Sequence, residues 1–299
     1  PMKTLDKILE GLMRRYSKRV PEVNKVTDAL IKKGIIKSQE DISNDHVAFR
    51  TMGVKQLGIK SFEKIFLHHG YVPRDDYFFE GKRLNARWYA PPEPRYPRIF
   101  ISELIVSDMP KEIQNIIFSY LDEVKTDPVE ELDLDDFKQV DTFLHEPLWR
   151  LPGWHDFKEL QMVSEYAAWV IYNRYYLNHY TISVHDLKDG YNTISEFNTF
   201  LESIGLVLND SGGKIKVSRD KLLLQSSTVS SMVEAEFQEG VKKMIPGSYV
   251  EFCERKLLPQ FKHLIGKQIQ RKHRRDGFET GNADKIFEST YLDQTKKRK

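Results

Sequence analysis

Three residues of this chain, His46, His179 and Glu251, are of the types that hold metal ions. Two neutral imidazoles and one carboxylate make the facial triad that binds non-haem Fe(II) and leaves positions open for substrate and dioxygen. The three lie far apart in sequence, and no HExxH or HxD motif joins them. What they share is the pattern of the stretches that carry them. Over residues 45–52, His46, Ala48 and Arg50 fall on one face of a predicted strand, and Val47 and Phe49 on the other. Over 178–184, His179, Thr181 and Ser183 (with His185 beyond) oppose Tyr180, Ile182 and Val184. Over 248–255, Tyr249, Glu251, Cys253 and Arg255 oppose Val250 and Phe252. Each stretch thus has an apolar face for packing and a polar face for chemistry.

Other residues complete the candidate set. Glu103, in the last strand of the first half, competes as a fourth metal ligand, or else is a carboxylate that supports the ligands or the fold itself. Arg50 lies four residues beyond His46, about 13 Å along an extended strand. A guanidinium there could grip a substrate carboxylate bidentately while a metal holds the other end. Gln225 could hydrogen-bond a substrate. Tyr249 and Arg255 share the face of Glu251 and could orient it. Cys253 shares it too, which would expose the single cysteine to oxidants formed at an iron.

The elements that must position these residues recur. Leu5, Ile8, Leu9, Leu12 and Met13, then Val26, Leu30 and Ile31, have helical spacing. A strand, a helix over 59–69 stopped by Gly70, and three strands follow. Residues 159–175 read as one apolar helix. The first pattern then returns: a strand over 178–184, a helix over 193–204 stopped by Gly205, and strands over 214–218, 222–229 and 248–255. Ser61, Phe62, Phe66, Gly70 and Val72 match Glu196, Phe197, Leu201, Gly205 and Val207 at a constant offset. The fold class expected is α+β, with two βαβββ units paired as in the vicinal-oxygen-chelate fold to form a metal-holding cup. The organisation expected is one integrated domain: N-terminal helices over 1–40, a first unit over 41–109, a helical connection over 110–177, a second unit over 178–256, and a C-terminal segment over 257–299.

Composition narrows the function classes. The 299 residues carry 46 basic and 44 acidic side chains, a net charge of +2, which argues against a chain devoted to nucleic acid. The basic runs 262–275 and 296–299 read as a solvated helix face and a frayed end, because they lack interleaved aromatics. The longest apolar run, 167–172, cannot span a bilayer. A single cysteine excludes disulfide frameworks and multi-cysteine zinc sites. Residues 1–10 show no apolar signal core, so cytoplasm is the expected location. The sequence does not speak to oligomeric state.

Five motifs together resemble the 2-oxoadipate dioxygenase/decarboxylase family, also called hydroxyglutarate synthase. They are Asp-His-Val-Ala-Phe-Arg-Thr (45–51), Asn-His-Tyr-Thr (178–181), Leu-Gln-Ser-Ser-Thr (224–228), Pro-Gly-Ser-Tyr-Val-Glu-Phe-Cys-Glu-Arg (246–255) and Ala-Asp-Lys-Ile-Phe-Glu-Ser-Thr (283–290). The resemblance runs from about residue 40 to about 292. It implies His46, His179 and Glu251 as Fe(II) ligands, with His46, Arg50 and His179 around the substrate and Arg50 on its carboxylate. It also implies conversion of 2-oxoadipate and O2 to 2-hydroxyglutarate and CO2. The chain is shorter than the longer bacterial members, so a related 2-oxo diacid stays open. A glyoxalase-like isomerase or lyase using Glu103, and a non-enzymatic metabolite-binding module, are the alternatives.

Overall fold

The computed structural model describes residues 2–298. Two N-terminal helices, α1 (Thr4–Arg19) and α2 (Pro21–Lys32), lead into the first unit. Pro21 sits at the first helical position, where its missing N–H costs nothing. The unit is β1 (Asn44–Gly53), α3 (Ile59–His68), β2 (Val72–Phe79), β3 (Leu84–Ala90) and β4 (Arg98–Ile105). The connection contains α4 (Lys111–Leu121), α5 (Phe137–His145), α6 (Trp154–Val163) and α7 (Glu165–Asn173). The second unit is β5 (His179–Ser183), α8 (Ile194–Ser203), β6 (Lys216–Val217), β7 (Leu223–Ser227), β8 (Met232–Glu236), β9 (Lys242–Pro246) and β10 (Tyr249–Arg255). Two short helices, α9 (Thr280–Ile286) and α10 (Leu292–Thr295), follow.

Eight strands form one mixed sheet in the order β2-β3-β4-β1-β5-β10-β7-β6. The order shows the expected duplication. In each unit the first strand pairs parallel with the last, and the other two add antiparallel outside it. The units meet at the antiparallel β1–β5 pair, which brings the strands of His46 and His179 side by side.

The strand faces divide as the alternation predicts. Val47, Phe49, Tyr180, Ile182, Val250 and Phe252 join one core with α1, α2, α3, α5 and α8. Ala48, Phe100, Leu104 and other inner-face residues join a second core with α4, α6, α7 and the C-terminal segment. The matched helices end alike. Gly70 (φ +95°) and Gly205 (φ +87°) take the left-handed conformation, and the next N–H, of Tyr71 or Leu206, returns to Phe66 O or Leu201 O at 3.1 Å.

Four readings of the sequence are corrected. Residues 159–175 are not one helix: Ser164 turns extended, and its hydroxyl caps α7 by accepting from Ala167 N. The β8–β9 ribbon, exposed and charged, is an addition to the second unit; Met-Val-Glu-Ala-Glu alternates too weakly to read as a strand. Residues 262–275 form short 3-10 turns rather than a helix. Arg271, Arg274 and Arg275 there bond Tyr96 O, Arg255 O and Asp220. Nor is the tail frayed as far as Arg298, which bonds Glu22 and the carbonyls of Ser230 and Val229; Lys299 lies outside the described residues.

Gly205→Ala is expected to lower the unfolding free energy by about 1–2 kcal/mol, the cost of a left-handed non-glycine residue. Gly70→Ala should cost more, because its Cβ would also lie 3.0 Å from Pro92 Cβ. Urea melts showing no loss for either variant would contradict the caps.

Candidate metal centre

His46 enters the inner face through an irregularity. Between Asn44 and Val47 the β1–β5 register slips, as Asn44 faces Ile182 while Val47 faces Tyr180. The extra residue on β1 lets Asp45 and His46 turn their side chains towards each other instead of apart. Asp45 Oδ2 lies 2.7 Å from His46 Nδ1. In the second unit Asn178 does the same from the residue before β5, with Oδ1 2.9 Å from His179 Nδ1. Both rings are thereby fixed with Nε2 pointing inward.

Glu251, on β10, meets both. Its Oε2 is 2.8 Å from His46 Nε2, and its Oε1 is 3.4 Å from His179 Nε2. One donor atom of each residue lies within 4.8 Å of the others, and all three residues are buried. Thr181 Oγ1 sits 3.0 Å from His46 Nε2 and donates to Glu251 Oε2 at 3.1 Å. Gln225 Nε2 donates to the same oxygen at 3.1 Å, and Gln225 Oε1 accepts from Asn282 on α9. Tyr249 stacks on the His179 ring at 4.7 Å.

The electrostatics favour a cation. Burial pushes the His179 imidazole down to about 3, so it is a neutral donor. Burial would also lower His46, but the Glu251 and Asp45 carboxylates outweigh it and raise its pKa. For Glu251, burial would raise the carboxyl, yet the two imidazoles and Gln225 hold it below its ordinary value. Two imidazoles and an ionised carboxylate, converging away from water, suit a divalent metal by donor type.

Asp45 is itself clamped. Arg255 donates to both its oxygens, at 2.8 and 3.1 Å, and Arg98 Nη1 reaches Oδ1 at 3.2 Å. Arg255 therefore acts on His46 through Asp45, not on Glu251 as its shared strand face implied. Of the readings open for Glu103, the structure removes the metal ligand and its support, and keeps the structural carboxylate. Across from it lie Thr51 and Asn85, so it points to the opposite face of the sheet. There its Oε1 accepts from Ile59 N at 2.9 Å, capping α3. The position in β4 that Glu251 holds in β10 belongs to Phe100. Phe100 pairs with Ala48, two residues past His46, as Glu251 pairs with Thr181, two past His179. His185 lies beyond β5 in a 3-10 turn, where its Nδ1 accepts from Arg255 N. Cys253 is fully buried but does not border the cavity.

A narrow cavity lies beside the triad, with roughly 370 Å³ of space between atoms when the solvent at its mouth is counted. Arg50, Ser102 and Tyr249 line it, with Phe100, Phe278, Ile286 and Phe287 as apolar walls. Arg50 is 1% exposed and has no acidic partner among the described residues. Its Nη1 donates to Thr290 Oγ1 at 3.0 Å and its Nη2 to Phe287 O at 3.1 Å, while Nε is unpaired. Trp169 and Tyr166 of α7 flank it, with ring centroids 4.9 and 5.2 Å away.

The profile of a family described as 2-oxoadipate dioxygenase/decarboxylase matches residues 8–267. The chain belongs to that family. A chloroplastic 2-oxoadipate dioxygenase/decarboxylase of Arabidopsis thaliana is 43% identical over 277 residues, covering 88% of this chain and 73% of the relative. The crystal structure of hydroxyglutarate synthase from Oryza sativa, in complex with 2-oxoadipate, matches with a TM-score of 0.87 and 40% identity, over 97% of this chain and 92% of that one. A protein of Ralstonia eutropha assigned to the glyoxalase superfamily matches at TM-score 0.70 and 19% identity, over 92% and 85% of the two chains. It supports the fold alone, and the fold is that of the vicinal-oxygen-chelate proteins. The Arabidopsis member is named as chloroplastic, which gives the expected cytoplasmic location no support. No helix of the described residues is long and apolar enough to cross a membrane.

Sequence reasoning missed Asp45, Asn178, Thr181, Asn282 and Thr290. One signal was available. Each histidine follows an Asx residue, in Asp-His (45–46) and Asn-His (178–179), inside motifs that characterise the 2-oxoadipate dioxygenase/decarboxylase family.

His179→Ala is expected to abolish binding of a divalent metal, and His185→Ala to leave it within about twofold; equal behaviour in a chelator-competition titration would remove the triad assignment. Asp45→Asn should weaken metal binding by about 10- to 100-fold, the usual cost of losing the group that orients a histidine ligand.

Proposed function

We propose that the protein is an Fe(II)-dependent 2-oxoadipate dioxygenase/decarboxylase, with His46, His179 and Glu251 as iron ligands and Arg50 as the substrate's anchor. The reaction converts 2-oxoadipate and O2 to 2-hydroxyglutarate and CO2. One oxygen atom goes into the new carboxylate and the other into the hydroxyl, so no organic co-substrate is consumed. Fe(II) would supply the activation of O2 and the redox chemistry.

The observation that carries this reading is Arg50. A guanidinium that is buried, lacks a carboxylate partner and borders the same cavity as the triad calls for an anion from outside the chain. A 2-oxo acid with a second carboxylate supplies one. Its oxo-acid end would lie at the triad and its far carboxylate at Arg50. Thr290 and the Phe287 carbonyl fix the guanidinium plane, and the rings of Trp169 and Tyr166 hold it from the sides. Asp45 and Asn178 keep both Nδ1 atoms engaged, so each Nε2 is left for the metal. Phe278, Ile286 and Phe287 keep water from the reacting carbons. The rice enzyme, solved with 2-oxoadipate, supports the choice of substrate. The glyoxalase-like alternative needs a fourth donor in the first unit, and Phe100 and the outward-facing Glu103 provide none there.

Anaerobically purified protein given Fe(II) and 2-oxoadipate should consume O2 and release CO2 in a 1:1 ratio. No oxygen uptake with any five- to seven-carbon 2-oxo diacid would sink the proposal. Arg50→Ala should raise KM by about 100-fold or more, the loss of a buried charge-assisted pair, with metal binding retained. Unchanged kinetics would remove its role.

A further inference from the structure

Four arginines of the chain are buried: Arg50, Arg98, Arg174 and Arg255. Arg98 and Arg255 pair with Asp45, and Arg98 also with Asp276. Arg50 opens on the metal cavity. Arg174 remains. It is 5% exposed, forms no salt bridge and makes no side-chain hydrogen bond among the described residues, and its Nη1 is enclosed without a partner. Glu146 bears on its charge from beyond hydrogen-bonding reach, while burial pulls the guanidinium down to about 10. A buried cation in this condition is costly unless something outside the chain pairs with it.

The backbone at Arg174 is also unusual. Its φ of 50° with ψ of −119° is a conformation that non-glycine residues rarely adopt. It occurs where α7 ends, and it directs the side chain into a surface cleft. The cleft spans roughly 1200 Å³ counted to its open mouth. Arg19 lines the same cleft, also without an acidic partner. Its Nη2 donates to Asn173 Oδ1 at 2.7 Å, and its guanidinium lies 4.3 Å from the centroid of the Tyr176 ring. Trp149, Tyr172 and Tyr176 give the cleft aromatic walls.

We infer that this cleft is a second ligand site, which takes an oxyanion, carboxylate or phosphate, between Arg174 and Arg19. Guanidinium groups present paired N–H donors that match two oxygens of either group. The aromatic walls would receive the organic part of such a ligand. The site lies apart from the metal cavity and shares no lining residue with it.

The test is calorimetric titration of the 299-residue chain with inorganic phosphate and, separately, with glutarate. It is repeated in Arg50→Gln, which removes the guanidinium of the metal cavity. Saturable binding of one of the two anions, retained in Arg50→Gln and weakened about tenfold or more in Arg174→Gln, is the expected result. The preferred anion tells phosphate from carboxylate. Arg174→Gly covers the case in which the glutamine variant does not fold. It relaxes the backbone and removes the unpaired cation, so it should melt at a higher temperature than the parent without anion and lose the response to anion. Absence of saturable binding of both anions, or binding unchanged in Arg174→Gln or Arg174→Gly, would overturn the inference.

Discussion

One carboxylate without access to water organises the polar interior of this protein. Asp45 is held by Arg255 and Arg98, and it holds His46 in turn. Burial would favour its neutral form, but the two guanidiniums keep the carboxyl well below the usual carboxylate range. Its charge therefore persists where it is least solvated, and so does its grip on the imidazole. The four groups come from β1, β4 and β10. Fixing one ligand's orientation thus requires strands from both units to be in register.

The pseudo-twofold arrangement explains how three distant residues converge. Pairing β1 with β5 sets Ala48 opposite His179, and pairing β5 with β10 sets Thr181 beside Glu251. The bulge at Asp45 and His46 then breaks the symmetry locally and turns an acid and its histidine to the same side. The duplication is not carried into chemistry on both sides. The first unit places Phe100 where the second places Glu251, so the repeated geometry offers three donors rather than four, and the fourth corner is an apolar wall of the cavity.

The cup is closed by residues that come last in the chain. Phe278 packs edge-on against His46 at 4.8 Å, Asn282 reaches Glu251 through Gln225, and Thr290 and Phe287 O secure Arg50. The motifs at 224–228 and 283–290 thereby acquire their roles. Gln225 joins Glu251 to Asn282 and also lines the cavity. Ser226 and Ser227 are buried and bonded to Asn198 and Ser289, not left to satisfy a strand edge. The C-terminal segment also gives the cavity apolar walls, Phe278, Ile286 and Phe287.

Much of the site could be read from the sequence because strand alternation is local. His46 with Arg50, and Glu251 with Tyr249, share faces wherever their strands go. The helix ends at Gly70 and Gly205 were equally legible, since only glycine takes that conformation without strain. Glu103 shows the limit of such reading. Its strand was found, but the phase of that strand against its neighbour was not, and a shift of one residue moves a side chain from the cup to the opposite face. The partners of Arg50 lie 237 and 240 residues away, and those that clamp Asp45, Arg255 and Arg98, lie 210 and 53 away. No local pattern encodes such contacts. The sequence determined by itself which side chains could do chemistry and which face of each strand they occupy, because that depends only on backbone geometry over a few residues. The tertiary structure alone decided strand register, the bulge and the closing segment, because these depend on how distant stretches of the chain meet and exclude water.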